Sequence, residues 1–418
     1  MEHNPAIALF LAIGLIIVAS RIGGTLARRF GQPRVLGELI IGVILGPTLL
    51  DLLHQPVFNG VELEETIKLF AELGVLLLMF LVGLEVNMGE LVKVGRVGVF
   101  AGIVGALAPV LLTIPLVMLF QYTWQPALFA GVTLAATSVS ISAQVLLELG
   151  VLRTRVGNAL LATALIDDIL AILLVSLSVA ITSDTGASAD VGSLVGIVIT
   201  MALYIASAFL LAWFVLPRVI NWLSDQPSIS QSHGIAAFAL IGLLLFGWSA
   251  EAFGGMAAIT GAFLAGVGFS RAKERVRHEI ESSISRIAYV FLVPIFFVDV
   301  GLQIDLSAFP LSALPFALLL LVIAVVSKIG GCGLGGRLGG FDNADSLRLG
   351  VCMISRGEVG LIIASLGIGV GVFRADDPLF ASLFLVILVS TLITPPLVRI
   401  IFSRGQTHET SRLDHSAS

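Results

Sequence analysis

Thirteen long apolar runs follow one another along this chain, each separated from the next by a short polar stretch. They fall at about 6–26, 35–52, 66–85, 97–120, 126–149, 155–182, 191–217, 233–250, 255–270, 284–302, 311–335, 345–370 and 378–402. A helix that crosses the hydrocarbon core needs about 20 mostly apolar residues, and most runs have that length. Strands of a membrane barrel would instead alternate apolar and polar residues over about ten positions. No such alternation appears. Charged residues make up 12% of the 418, half of the roughly 25% a soluble domain carries. The expected class is an all-α polytopic membrane protein with about 13 transmembrane helices and no room for a sizeable soluble domain. Its 44 glycines suit close helix packing in lipid.

Other classes are poorly served by this composition. Twenty-three basic against 28 acidic side chains give no basic excess for nucleic acid, so membrane lipid is the expected surrounding partner. Cys332 and Cys352 lie far apart in sequence, and the six histidines sit at termini, loops or helix ends without metal-ligand spacing. No cofactor and no enzymatic chemistry are expected. The start, Met1 to Pro5, lacks the basic segment of a signal peptide, so the first run is expected to stay as a helix.

Loop charges predict orientation. Arg21, Arg28, Arg29, Arg34, Lys93, Arg96, Arg153, Arg155, Arg218, Arg271, Lys273, Arg275, Arg277, Arg286, Arg337, Arg348, Arg399, Arg404 and Arg412 all fall on one side of a thirteen-span topology. The other side carries mostly acids, including Glu62, Glu64, Glu65, Asp184, Asp190, Asp376 and Asp377. By the positive-inside rule the N-terminus is outside and the C-terminus cytoplasmic in a cell (inner) membrane, with residues 405–418 as a short cytoplasmic tail.

The chain also echoes itself. Phe80–Leu91 and Phe297–Leu306 share an apolar helix that leaves through Gly-Leu-polar-x-polar, and Gly37 and Gly42 match Gly261 and Gly266. An offset of seven runs predicts a first repeat over about 6–182, a linker helix at 191–217 and an inverted second repeat over about 233–402. Inverted repeats with a midplane site are a construction of secondary transporters.

Against this apolar background a few polar residues stand out. Asp167 and Asp168 are adjacent in the sixth run with long, mostly apolar flanks on both sides. One charge at that depth costs about 2.5–3.5 kcal/mol on insertion scales, so a purely structural role is hard to sustain. Neighbouring helical positions point about 100° apart. One acid can therefore sit in an ion pair while the other faces a cavity and exchanges ions. Lys328, in the eleventh run, has two readings: a cation snorkelling toward the cytoplasmic face, or a buried partner for one of these acids. The fifth run is dense in hydroxyls (Thr137, Ser138, Ser140, Ser142), and the twelfth carries Ser355-Arg356-Gly357-Glu358. The same seven-run offset separates them, and interrupted helices at corresponding positions of two halves point to a transport site. Glu38 and Asp299 are weaker candidates for the interior. Glu72, Glu85 and Glu148 lie near helix ends and are expected to be solvated.

Taken together, Ile-Asp167-Asp168, Arg356-Gly-Glu358-Val-Gly-Leu-Ile and Phe297-Val-Asp-Val-Gly-Leu resemble the monovalent cation:proton antiporters of the second branch, and within it bacterial Na⁺/H⁺ antiporters of the NapA type. The resemblance covers nearly the whole chain. It implies a NhaA/NapA-like fold over residues 1–404, with two inverted six-helix repeats, crossed discontinuous helices and a homodimer working as an elevator. It also implies that Asp168 binds Na⁺ (or Li⁺) and a proton in competition and that Asp167 pairs with Lys328. Thr137 and Ser138 would form one break, Arg356 and Glu358 the other. Asp299 departs from the small or apolar residue of that motif, which leaves an altered pore or an extra titrating group open. Potassium efflux proteins of the same fold are the rival, but they show Gln-Asp at the paired acids and carry an attached nucleotide-binding domain, neither of which is expected here. An intramembrane aspartyl protease would need Gly-x-Gly-Asp, which is absent. A channel or sensor without exchange differs only in whether a Na⁺ gradient drives H⁺ the other way.

Overall fold

The computed structural model describes residues 5–58, 63–86, 91, 93–182, 191–226, 234–303, 309–374 and 377–416, and among them it is all-helical. In chain order the principal helices are α1 (Pro5–Arg29), α2 (Arg34–Leu45), α3 (Leu63–Glu85), α4 (Gly95–Leu119), α5 (Trp124–Ala135), α6 (Val139–Glu148), α7 (Arg155–Thr182), α8 (Val191–Leu210), α9 (Leu216–Ser224), α10 (Gly234–Ala252), α11 (Ala258–Phe269), α12 (Glu274–Ile287), α13 (Val293–Leu302), α14 (Leu314–Leu338), α15 (Asn343–Cys352), α16 (Glu358–Gly369) and α17 (Pro378–Ser416). Among the described residues, ten helical segments are long and apolar enough to cross a membrane, and two shorter apolar helices accompany them. The polar exits predicted after the third and tenth runs fall partly on residues 87–90 and 304–306, outside the described residues, as do Glu62, Asp184, Asp190 and Asp376.

Two boundaries differ from the sequence reading. The basic stretch expected as a loop before the tenth run is helical from Glu274, because Val276, Ile280 and Ile284 recur every four residues and bury one stripe. The last helix continues to Ser416, through the residues expected as a tail.

Packing divides the chain into two compact units: Met1–Ile22, Ile41–Val92 and Asp168–Ser307 form the first, and Gly23–Ile40, Lys93–Asp167 and Ala308–Ser418 the second. In the first unit α3 packs on α11 and α13. The α3–α11 crossing is built on glycine: a Cβ on Gly266 would lie 2.1 Å from the Phe80 carbonyl, and one on Gly83 2.2 Å from that of Phe263. With no hydrophobic drive between helices in lipid, such close backbone approach is what holds them together. Gly37, Gly42 and Gly261 likewise each abut a backbone carbonyl.

Two π-turns, Leu211–Val215 and Ala288–Leu292, interrupt helices of this unit, each just before a proline. Pro217 and Pro294 have no N–H, which orphans the carbonyls four residues earlier, Trp213 and Val290. Arginines from elsewhere in the fold supply the missing donors. Arg271 donates to the Trp213 carbonyl at 3.2 Å while lying over its ring at 3.7 Å. Arg21 of α1 donates to the Tyr289 and Val290 carbonyls at 2.9 and 3.2 Å. Arg21 and Arg271, read above only as orientation signals, thus also complete two broken helices.

In the second unit α14 lies along α4 through Gly331, Gly335 and Gly339, whose would-be Cβ atoms meet the Val104 carbonyl (2.9 Å), the Phe100 carbonyl (2.3 Å) and Val97 Cα (2.5 Å). The four-residue spacing repeats the helix turn and keeps these positions on one face.

Candidate functional site: buried charges at two broken helices

Both predicted interruptions are present. Between α5 and α6 the chain runs extended through Ala136, Thr137 and Ser138, and between α15 and α16 it turns at Met353 and stays non-helical through Gly357. A break inside an apolar helix strands backbone donors and acceptors at both new ends, and in lipid each must be satisfied internally. Here the two breaks satisfy each other. Ser138 N–H donates to the Ser355 carbonyl at 2.9 Å, and Ser355 Oγ donates to the Ser138 carbonyl at 2.6 Å. Ser142 Oγ donates to the carbonyl of Cys352, the last residue of α15, at 2.5 Å.

Arg356 holds the rest. It is fully buried, and its guanidinium donates through Nε to the Leu134 carbonyl at 3.0 Å, through Nη2 to the Ala324 carbonyl at 2.9 Å and through Nη1 to the Ile354 carbonyl. Leu134 lies at the C-terminal end of α5, where the helix dipole favours a cation. The Arg356 carbonyl accepts in turn from the Thr391 hydroxyl of α17. Arg356 is thus a clamp joining α5, α14 and the second break. Glu358 opens α16, and its side chain lies outside the described residues.

Asp167 and Asp168 are residues 13 and 14 of the 28 in α7, and their surroundings differ as the 100° rotation requires. Asp167 belongs to the second unit and is buried, with its Oδ1 accepting from Lys328 Nζ at 2.8 Å. Lys328 is 0% exposed, with its ammonium against Asp167 rather than at the surface. Asp167 Oδ2, and the hydroxyls of Thr133, Thr137 and Thr163, are buried without a hydrogen-bond partner among the described residues. Thr163 lies one helical turn before Asp167, on the same face of α7. Asp168 belongs to the first unit and is half-buried; its Oδ2 accepts from Thr260 Oγ1 of α11 at 3.3 Å.

The other candidates are placed separately. Asp299 is buried in α13 and accepts from Gln303 Nε2 at 2.6 Å. Glu38 is buried in α2, with its Oε1 beside Gly24. Glu148, expected to be solvated, is exposed and accepts from the Arg34 backbone N–H at 2.7 Å and from Gln144 Nε2 at 3.2 Å. Thr260 and Thr391 were not singled out by sequence, because a lone threonine in an apolar run looks like any packing residue. No group of three or more His, Cys, Asp or Glu gathers into a metal cluster among the described residues.

A multi-pass helical membrane protein with charges buried beside discontinuous helices has the construction of a secondary transporter. The family model described as the transmembrane region of sodium/hydrogen exchangers matches residues 14–404, and the chain belongs to that family. It is 35% identical to the Na⁺/H⁺-K⁺ antiporter GerN of Bacillus cereus, over 94% of this chain and 96% of that protein. It is also 35% identical to a Na⁺/H⁺ antiporter of Enterococcus hirae, over 92% of this chain and 96% of the relative. Two structures of the sodium proton antiporter MjNhaP1 from Methanocaldococcus jannaschii share the fold, with TM-scores of 0.66 and 0.70 at 18% identity. They cover 94% and 95% of this chain and 96% of theirs.

Proposed function

We propose that this protein is a secondary antiporter that exchanges Na⁺ (or Li⁺) for H⁺ across the cell membrane by alternating access. The observation that carries the reading is the difference between the two adjacent acids: Asp167 is paired with Lys328, whereas Asp168 meets the hydroxyl of Thr260, and on this reading Asp168 takes either a cation or a proton. A protonated Asp168 does not hold Na⁺, and an ionised one does. Carrying a bare carboxylate through the membrane is costly, so only the loaded forms cross, and the two fluxes are coupled. Thr137 and Ser138 at the first break and Arg356 with Glu358 at the second keep polar backbone inside the membrane for ion passage. Asp299 and Glu38 have no assigned step.

On this reading Asp167–Lys328 carries a second exchangeable proton, so transport is electrogenic, coupling to about 2.3 kcal/mol per charge per 100 mV. The paired acids and the buried lysine support placement in the NapA-type branch. Counting α2, α11 and the α15–α16 pair as spans gives thirteen, arranged as inverted repeats in a homodimer with the N-terminus outside. GerN's name includes potassium, which favours K⁺/H⁺ exchange as the second reading.

The test is flux in proteoliposomes under imposed Na⁺, Li⁺ or K⁺ gradients. Asp168→Asn abolishes cation-driven proton movement, and preserved exchange refutes the assignment. Lys328→Gln leaves exchange that no longer responds to membrane potential; unchanged electrogenicity removes the second proton. A K⁺ gradient driving protons where Na⁺ does not selects the rival.

A further inference from the structure

Asp168 is met by a threonine of another helix in the first unit. Thr260 is the third residue of α11, is 3% exposed, and points its Oγ1 at Asp168 Oδ2. Its position is built rather than incidental. The turn before α11 contains Gly254, whose would-be Cβ lies 2.6 Å from the Tyr204 ring, and Gly255, in the left-handed region at φ +61°. Neither position accepts a side chain without rearrangement. Tyr204, Met256 and Leu264 form a buried cluster, and Ile169 and Ile172, one and four residues after Asp168 in α7, pack against it. Tyr204 is itself tied down by hydrogen bonds from its hydroxyl to the Phe246 carbonyl (3.1 Å) and to Ser249 Oγ (2.9 Å). One apolar cluster therefore anchors both the segment that carries Asp168 and the turn that presents Thr260.

The separation of the two oxygens is informative. Hydroxyl-to-carboxylate hydrogen bonds close to about 2.5–2.7 Å, and 3.3 Å is long for one. A hard cation of sodium's size, close to calcium's, takes oxygen ligands at about 2.4 Å, and two such ligands at a right angle stand about 3.4 Å apart. A larger cation spreads the same pair further. The hydroxyl has lone pairs to offer, and the first turn of α11 adds no competing carboxylate. We infer that Thr260 is a ligand of the transported cation at Asp168 and a determinant of preference for Na⁺ or Li⁺ over K⁺. This rests on the antiport reading, which it deepens by naming a second oxygen donor and a size criterion. A hydroxyl suits the task better than a second acid. It contributes an oxygen without adding a charge of its own.

The experiment compares Thr260→Val, which keeps shape and loses the hydroxyl, with Thr260→Ser, which keeps the hydroxyl and loses the methyl. Each full-length variant is purified, its unfolding temperature without Na⁺ is measured to establish folding, and KM for Na⁺, Li⁺ and K⁺ is read in proteoliposomes at fixed pH. Thr260→Val raises KM for Na⁺ about tenfold, the loss of one good polar ligand, with little change in Vmax or in KM for K⁺. Thr260→Ser stays within about twofold of the parent on the same scale. An unchanged Na⁺ KM and Na⁺/K⁺ ratio in Thr260→Val overturns the inference while the antiport reading stands. Loss in Thr260→Ser equal to that in Thr260→Val assigns the position to packing and also overturns it. If the parent protein moves no protons against any cation, the antiport reading fails on its own and Na⁺-induced thermal stabilisation decides the ligand claim. Stabilisation that vanishes in Asp168→Asn and weakens in Thr260→Val supports it, and stabilisation absent from the parent or undiminished in Thr260→Val overturns it.

Discussion

Replacing Arg356 with alanine tests whether one side chain holds the two broken helices together. The guanidinium donates to three carbonyls, at Leu134, Ala324 and Ile354, from a fully buried position. Hydrogen bonds from a charged group contribute about 1.5–3 kcal/mol each, so the gross loss is roughly 5–9 kcal/mol. Part of it is offset, because removing the side chain also removes the several kcal/mol its burial costs. The Leu134 and Ala324 carbonyls remain in an apolar interior, at about 1–3 kcal/mol each if nothing replaces the donor. The expected net destabilisation is about 3–5 kcal/mol, the range seen when one member of a buried polar pair is removed. At a few degrees per kcal/mol, that is a fall on the order of 10 °C in unfolding temperature. Arg356→Lys discriminates between charge and geometry. An ammonium keeps the charge beside the C-terminal end of α5, but as a compact point charge it does not span three carbonyls on separate segments. It should recover less than half of the loss. The assay is thermal unfolding of the detergent-purified protein, with transport in proteoliposomes measured in parallel. An alanine variant that unfolds within a degree or two of the parent refutes the clamp. A lysine variant as stable as the parent refutes the geometric part.

Other consequences are equally direct. Arg21→Ala should destabilise the protein by about 0.5–1.5 kcal/mol by removing the donor to the Tyr289 and Val290 carbonyls, and Pro294→Ala should restore a local donor and recover much of it in the double variant. Additivity of the two changes in thermal unfolding would show that proline and arginine are not coupled. Gly266→Ala drives a methyl against the Phe80 carbonyl, 2.1 Å from its ideal position, and should cost more than 2 kcal/mol. Gly14→Ala has nothing within 4 Å and should be neutral or slightly stabilising. In the loop between α4 and α5, the Tyr122 hydroxyl donates to Asp377 Oδ1 at 2.9 Å, and burial followed by that bond pushes its pKa up to about 12. The folded protein thus holds this proton more tightly than the unfolded chain. The associated stability is full below pH 10 and is lost as pH rises toward 12. Phenolate absorbance should place one tyrosine titration near 12 and lose it in Tyr122→Phe.

Much of this architecture is legible in sequence because hydropathy is summed along the chain. The apolar runs, the mid-run position of Asp167 and Asp168, and the interruptions at Thr137–Ser138 and Ser355–Gly357 needed no knowledge of neighbours. The helix over 274–287 was missed because its basic residues outweigh the three-residue apolar stripe of Val276, Ile280 and Ile284. Gly331, Gly335 and Gly339 stand four residues apart in the sequence, but the face they meet is set by packing.

What sequence alone determined is which residues had to find partners: a charge in an apolar helix costs too much to stand alone, wherever the helix goes. Tertiary structure decided which partners they found. Lys328 reaches Asp167 across 161 residues of chain, Thr260 reaches Asp168 across 92, and Arg356 gathers Leu134 from 222 residues away. Arg21 and Arg271 carry no mark that separates them from loop cations. Their roles exist only because two proline-broken helices pass within reach. Burial is demanded by local composition, whereas the choice of a hydrogen-bond partner belongs to the packing of helices far apart in sequence.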